Sequence, residues 1–284
     1  MSTTHDGAPR GAMIFADMEG VAGIQAWEQT GGAGPRYEEG RRLYTGEVSA
    51  CVRGCLRAGA APVVAADGHG GAHDGGRGFM SWVPEMLEQG AEYVMGRRWA
   101  TYVEPLETGE CGVVLLVGAH ARAGVQSAAL CHTVSGSWHR VQVNGREIGE
   151  SGIVAGIAGS FGVPVAFVAG DQASCDELAE LVGSSLVTAP VKAALDRYAA
   201  RTLAPPDARA LIETRAAQAL ALRDNWPRPW RPEPPVLIDV ELTTPDAAGD
   251  LAQRAGVERT GPRCVCVTAS SFWEAWRRLW PAVA

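Results

Sequence analysis

The sequence predicts an α/β fold with a layered, largely parallel sheet and flanking helices, plus a smaller C-terminal α/β unit. Short apolar runs alternate with helical patterns through the first two thirds of the chain, as βα units require. One tight-turn dipeptide, Asn144-Gly145, breaks that alternation and joins antiparallel strands. A connector too rich in proline for regular structure, Asn225 to Pro235, then precedes a closing series of strand, helix, strand and helix.

Taken in order, the first ten residues, MSTTHDGAPR, are polar and lack the apolar core of a signal peptide. They are expected to be a disordered tail. The strand candidates are Ala12 to Asp17, Pro62 to Asp67, Gly112 to Gly118 and Pro164 to Ala169. Between the first two, Leu43, Val48, Val52, Cys55 and Leu56 recur at helical spacing, with Gly59 as a stop, so a crossover helix is expected there. The run from Ile153 to Gly170 is broken by glycines, Ser160 and Pro164 and reads as a buried helix, a turn and a strand rather than a membrane span. The tryptophans of the connector are expected to pack on the surface rather than recognise a ligand.

Bulk properties narrow the function. The 284 residues carry a net charge of −7 with a pI near 5.4, which leaves no basic surplus for a general nucleic-acid binder. Seven cysteines form neither a CxxC pair nor a secreted disulfide framework. Cys51 and Cys55, at i and i+4, read as small buried hydrophobes. A soluble, cytoplasmic protein follows as the expectation.

Three strand candidates end in groups that can ligate a metal. The first runs into Asp17-Met18-Glu19, where an extended backbone would present both carboxylates on one side; the second ends Asp67-Gly68-His69; the third ends at His120. Singly, each is ordinary. A DxE pair is commonly solvated or salt-bridged, His120 could be a hydrogen-bonded core histidine, and His69 and His73 could sit incidentally in the glycine-rich loop from Gly68 to Gly78. Recurrence on three successive strands, each with a glycine beside the candidate, favours a shared site beyond the strands' carboxyl ends. Glu150, at the start of the helix after the hairpin, and His132 in "LCHTVSG" are further candidates, although a helix-terminal glutamate and a buried histidine are the ordinary readings of each.

Three carboxylates and two histidines without a thiolate suit zinc or manganese better than calcium, magnesium or an iron–sulfur cluster. That count exceeds one tetrahedral ion and fits two ions bridged by Asp17. Such a pair can acidify a bound water and polarise a carbonyl or phosphoryl oxygen, which makes hydrolysis the leading reaction class.

The strings "DMEG" (Asp17 to Gly20), "DGH" (Asp67 to His69), "GAHARAG" (Gly118 to Gly124), "HT" (His132, Thr133), "NGREIGESG" (Asn144 to Gly152), "VAGD" (Val168 to Asp171) and "VK" (Val191, Lys192) are similar, in order and spacing, to those of the DppA-type D-aminopeptidases. The resemblance runs from about Met13 to the final helix and is specific mainly before Lys192. It implies two zinc ions per subunit ligated by Asp17, Glu19, His69, His120 and Glu150, with His132 catalytic. It also implies a ring-shaped homodecamer whose sites face an internal chamber, and a short peptide or amino-acid amide as substrate. Residues 11–192 would form the metal-binding catalytic domain and residues 193–284 a smaller portion continuous with it. Ala66 and Gly68 replace residues that are commonly polar in the family, Gln172 follows Asp171 where a second acid is often found, and the segment from Asn225 to Pro235 is peculiar to this chain. These departures bear on the substrate pocket rather than on the ligands. Two rival functions are an amidohydrolase acting on an acyl or γ-glutamyl amide and a non-catalytic metal-binding scaffold; a metallophosphoesterase lacks a basic cluster to hold phosphate.

Overall fold

The computed structural model of the chain describes residues 11–70, 78–96 and 102–280. The expected tail and His73 lie outside the described residues. The strands are β1 (Gly11–Ala16), β2 (Val63–Asp67), β3 (Glu92–Val94), β4 (Cys111–Ala119), β5 (Trp138–Val143), β6 (Arg146–Glu147), β7 (Val165–Asp171), β8 (Val187–Asp196), β9 (Ala199–Thr202), β10 (Val236–Leu242), β11 (Glu258–Arg259) and β12 (Cys264–Ala269). The helices are α1 (Trp27–Thr30), α2 (Pro35–Arg57), α3 (Glu104–Glu107), α4 (Glu150–Ser160), α5 (Gln172–Val182), α6 (Pro205–Ala221), α7 (Pro245–Ala252) and α8 (Phe272–Leu279).

A seven-stranded sheet runs in the order β3-β2-β1-β4-β7-β8-β9, parallel throughout except for β9. Strands β1, β2 and β4 are buried along their whole length, which explains their unbroken apolar runs. Alternate residues serve opposite faces. Ala12, Ile14 and Ala16 pack towards α2 and α6, with Tyr44, Val48, Cys51 and Ile212. Met13 and Phe15 pack towards α4 and α5, with Val154, Ala158, Cys175 and Leu178. Pro35 opens α2, where its missing N–H costs nothing. From β1 the chain builds outward through β2 and β3, then returns to place β4 on the other side of β1. That reversal makes the carboxyl ends of β1 and β4 a topological switch point, the place where open α/β sheets bind ligands.

The expected hairpin forms β5 and β6, and it joins a second sheet of order β11-β12-β10-β5-β6, antiparallel throughout. Val141, Val143, Ile238, Val240, Val265 and Val267 form its core with α7 and α8. Helix α4, apolar on nearly every side, lies between the two cores: Ile153 and Ile157 face the second sheet, Val154 and Ala158 the first. Residue 192 lies inside β8, and the second sheet draws strands from both sides of it. The connector is tied down by Trp226, whose indole N–H donates to the Ala219 carbonyl at 2.7 Å, and by Arg231, which donates to the Gly159 carbonyl at 2.7 Å. Trp230 packs edge-on against Phe272 at 6.0 Å. All seven cysteines are free, and among the described residues no helix is long and apolar enough to cross a membrane.

Candidate metal centre

Strand β1 ends at Ala16, so Asp17 and Glu19 do not sit on an extended backbone as the sequence suggested. They lie in a turn in which the Met18 N–H donates to Asp17 Oδ1 at 2.8 Å and the Val21 N–H to the Met18 carbonyl at 3.2 Å. The two carboxylates converge because this turn is pressed onto the end of β4. Gly20 donates its N–H to the Gly118 carbonyl at 2.8 Å. A Cβ on Gly118, whose φ is +72°, would stand 1.8 Å from the Asp17 carbonyl oxygen, and one on Gly20 would stand 2.0 Å from that of Ala119. The glycines beside the candidates therefore let two backbone segments touch.

The Asp17 side chain reaches two histidines, with Oδ1 at 3.1 Å from His69 Nδ1 and Oδ2 at 3.2 Å from His120 Nε2. Glu19 Oε2 is 3.2 Å from His69 Nδ1, and Glu150 Oε1 is 3.2 Å from His120 Nε2 and 3.7 Å from His132 Nε2. Two groups with metal-ligand spacing result: Asp17, Glu19 and His69, and His120, His132 and Glu150. Glu150 is the first residue of α4, and its Oε1 also accepts the Val134 N–H at 2.8 Å. The rings of His120 and His132 stack at 4.1 Å and 8°.

Each histidine is pinned at its other nitrogen by a backbone carbonyl, which can only accept. His69 Nε2 meets the Thr30 carbonyl at 2.6 Å, His120 Nδ1 that of Ala121 at 3.0 Å, and His132 Nδ1 that of Leu130 at 3.0 Å. The pinned nitrogens carry the protons, so neutral rings turn lone pairs toward carboxylate oxygens. Lone pair and carboxylate repel unless a cation or a second proton lies between them. Glu19 Oε2 and His120 Nε2 are accordingly buried without a hydrogen-bond partner, in residues only 3% and 2% exposed. Without a metal, protons serve instead. Burial disfavours charging His69 and His120, but the carboxylates of Glu19, Glu150 and Asp17 outweigh it and hold both rings well above the ordinary histidine value. Burial raises Asp17, yet the His120 and His69 rings that face it pull it well below the carboxylate range; Glu150 is lowered too, the charge of His120 overcoming burial. A donor set of carboxylates and imidazoles facing one another this way fits divalent metal ions.

All six residues singled out from the sequence thus meet at one place. Asp67 plays a different part: its carboxylate accepts from Tyr44 Oη at 2.9 Å, the His69 N–H at 3.1 Å and the Ser81 N–H at 2.6 Å, and so shapes the His69 turn. Burial pushes it up to about 6 in spite of those donors. Sequence reasoning assigned no role to Lys192, which is 3% exposed. Its Nζ donates to the Glu19 carbonyl at 2.5 Å and the Ile24 carbonyl at 2.6 Å, fastening the Asp17–Glu19 turn from behind. Its neighbour in register, Asp171, accepts the Ala129 N–H at 2.8 Å, at the root of the loop that carries His132. A lysine alone in the apolar run "TAPVKAAL" was the available signal, because a buried lysine must have partners.

The centre opens into a cleft of about 830 Å³ that also touches Trp27, Arg197, Ile157 and Trp276. Trp27 meets the His132 ring edge-on at 5.4 Å, and the Arg197 guanidinium lies 5.7 Å from the Trp27 ring.

Known proteins resemble this chain along nearly its whole length. A curated D-aminopeptidase of Bacillus subtilis (strain 168) is 29% identical over 268 residues, spanning 94% of each chain. The solved structure of the Zn-dependent D-aminopeptidase DppA from Bacillus subtilis, described as a self-compartmentalizing protease, superposes with a TM-score of 0.84 at 26% identity, covering 94% of this chain and 95% of its own. The family model for D-aminopeptidases, peptidase family M55, matches residues 12–280, and the chain belongs to that family.

Proposed function

We propose that this protein is a zinc-dependent aminopeptidase that removes the N-terminal residue, of D configuration, from short peptides or amino-acid amides. The observation that carries the reading is the pair of facing groups around Asp17, each of whose carboxylate oxygens addresses a different buried histidine. Two zinc ions would be held by Asp17, Glu19 and His69 and by Asp17, His120 and Glu150, with Asp17 shared. Zinc at such a site supplies Lewis acidity for a carbonyl and brings the pKa of a water to about 7. The family membership and the zinc dependence of the B. subtilis relative support the choice of metal and of bond.

In this reading His132 acts on the substrate. Its Nδ1–H is committed to Leu130, which leaves Nε2, 3.7 Å from Glu150 Oε1 at the lining of the cleft, as a base or nucleophile, with Trp27 edge-on to the ring. In hydrolysis the attacking water loses a proton, the carbon–nitrogen bond breaks and the departing amine gains a proton; His132 Nε2 can accept the first and deliver the second. The self-compartmentalizing description of the relative supports a homo-oligomer here; the form proposed is a homodecamer. The same reading takes the protein to be cytoplasmic.

The test is a panel of D- and L-amino-acid amides and dipeptides, run with zinc-loaded, chelator-stripped and zinc-restored protein. Turnover of D substrates that disappears on stripping and returns with zinc is expected. Full zinc occupancy with turnover only of acyl or γ-glutamyl amides, or of nothing, would overturn the reading.

A further inference from the structure

The cleft extends well beyond the residues that can hold metal. Glu150 begins α4, and Ile153 and Ile157, three and seven residues further on, line the cleft on the same face of that helix. At a rise of 1.5 Å per residue, the wall they form runs from about 5 Å to about 10 Å along the axis from Glu150. Trp276 and Trp280 of the α8 segment, four residues apart, continue it, with rings stacked at 6.4 Å and 6°. None of these four side chains carries a charge.

The wall is held rigidly. A Cβ on Gly156 would stand 2.7 Å from the Phe272 ring, so α8 seats directly on α4. Trp138 packs against Trp276 at 6.0 Å and against Trp280 at 6.4 Å, and Phe272 stacks on Trp276 at 6.3 Å. A cleft of about 830 Å³ lies within the roughly 300–1,000 Å³ of sites that enclose drug-sized molecules. A methyl side chain would leave the wall bare. A preformed concave apolar surface continuous with a hydrolytic centre is fitted to an apolar group of the substrate.

We infer that Ile153, Ile157, Trp276 and Trp280 form a subsite for a large apolar or aromatic side chain on one of the two residues flanking the scissile bond. Resting on the aminopeptidase reading, the inference names its substrate class: peptides and amides bearing phenylalanine-like or leucine-like side chains are favoured over those bearing alanine. Burying such a side chain against this wall is expected to gain about tenfold or more in affinity or kcat/KM.

Two measurements separate the inference from the reading beneath it. Calorimetry on the zinc-loaded protein compares the hydroxamates of D-alanine and D-phenylalanine, which bind zinc and are not peptide substrates, and kinetics compare dipeptides with D-alanine or D-phenylalanine at the first or second position. The aromatic side chain should be favoured about tenfold or more in at least one position. Trp280→Ala should shrink that advantage to about threefold or less, and Trp280→Phe should keep most of it. An aromatic advantage in hydroxamate binding without turnover of any dipeptide sinks the aminopeptidase reading and keeps the subsite. Efficient turnover with equal preference for alanine and phenylalanine at both positions, failure of both hydroxamates to bind, or an advantage untouched in Trp280→Ala overturns the subsite.

Discussion

Lys192→Met tests whether the metal centre depends on the buried lysine behind it. Methionine keeps most of the volume and removes the donor, leaving the Glu19 and Ile24 carbonyls without the ammonium that now lies 2.5 Å and 2.6 Å away. Hydrogen bonds from a charged group contribute about 1.5–3 kcal/mol each, so the gross loss is about 3–6 kcal/mol. Part is offset, because burial, outweighing the pull of Asp171, Glu47 and Glu19, lowers the lysine from 10.5 to about 8, a net cost of roughly 3 kcal/mol at neutral pH that the variant escapes. A net destabilisation of about 2 kcal/mol is expected in urea denaturation of the metal-free protein. The sharper effect falls on the metal: with the Asp17–Glu19 turn unfastened, zinc affinity should drop about 10–100-fold, the usual consequence of losing a residue that orients a ligand. Zinc titration by calorimetry reads this directly. A variant that unfolds at lower urea yet binds two zinc ions with unchanged affinity would refute the positioning role and leave Lys192 as a structural residue.

Other perturbations probe different parts of the molecule. Gly118→Ala places a Cβ 1.8 Å from the Asp17 carbonyl at a φ of +72°, and should cost at least about 2 kcal/mol and abolish zinc binding at concentrations that saturate the wild type; retained zinc by metal analysis would contradict the close packing of the two strand ends. His132→Ala should lower turnover by about 10²–10⁴ while leaving two zinc ions bound, whereas loss of an ion would make His132 a ligand instead. Burial pushes Glu47 from 4.5 up to about 7, against the pull of the Ala22 N–H and Lys192. A raised pKa gives stability that is complete below about 4.5 and is lost as pH rises through about 7, so Glu47→Gln should gain on the wild type by about 3 kcal/mol between pH 4.5 and pH 8. Urea denaturation at both pH values checks this, and a difference that does not change with pH would count against a buried, destabilised carboxylate.

Most of the site could be read from residue types at strand ends. Parallel strands buried on both faces must be apolar throughout, so Asp17, His69 and His120 stand out where β1, β2 and β4 give way to loops, and the switch point between β1 and β4 gathers them. What the pattern could not supply was the local geometry that makes Asp17 and Glu19 converge. An i, i+2 rule for strands predicted it, whereas the chain uses a turn whose shape depends on Gly20 and Gly118 touching a segment about a hundred residues away. Lys192 and Asp171 escaped for the same reason: their partners are backbone groups of distant loops, and backbone groups leave no trace in a residue pattern. Strands β8 and β9 were missed as well, because "VTAPVKAALD" mixes a proline, a lysine and a weak apolar run, and its strand character comes from pairing with β7 and β9.

The proposed function rests on two zinc ions that share Asp17. Metal analysis of stripped and reconstituted protein, for the wild type and Asp17→Asn side by side with D-amino-acid amide turnover, tests it most directly. Two zinc ions per active chain, and at most one in an inactive Asp17→Asn protein, is the predicted result. Full activity at one zinc ion per chain, or an Asp17→Asn protein that keeps both ions and its turnover, would contradict it.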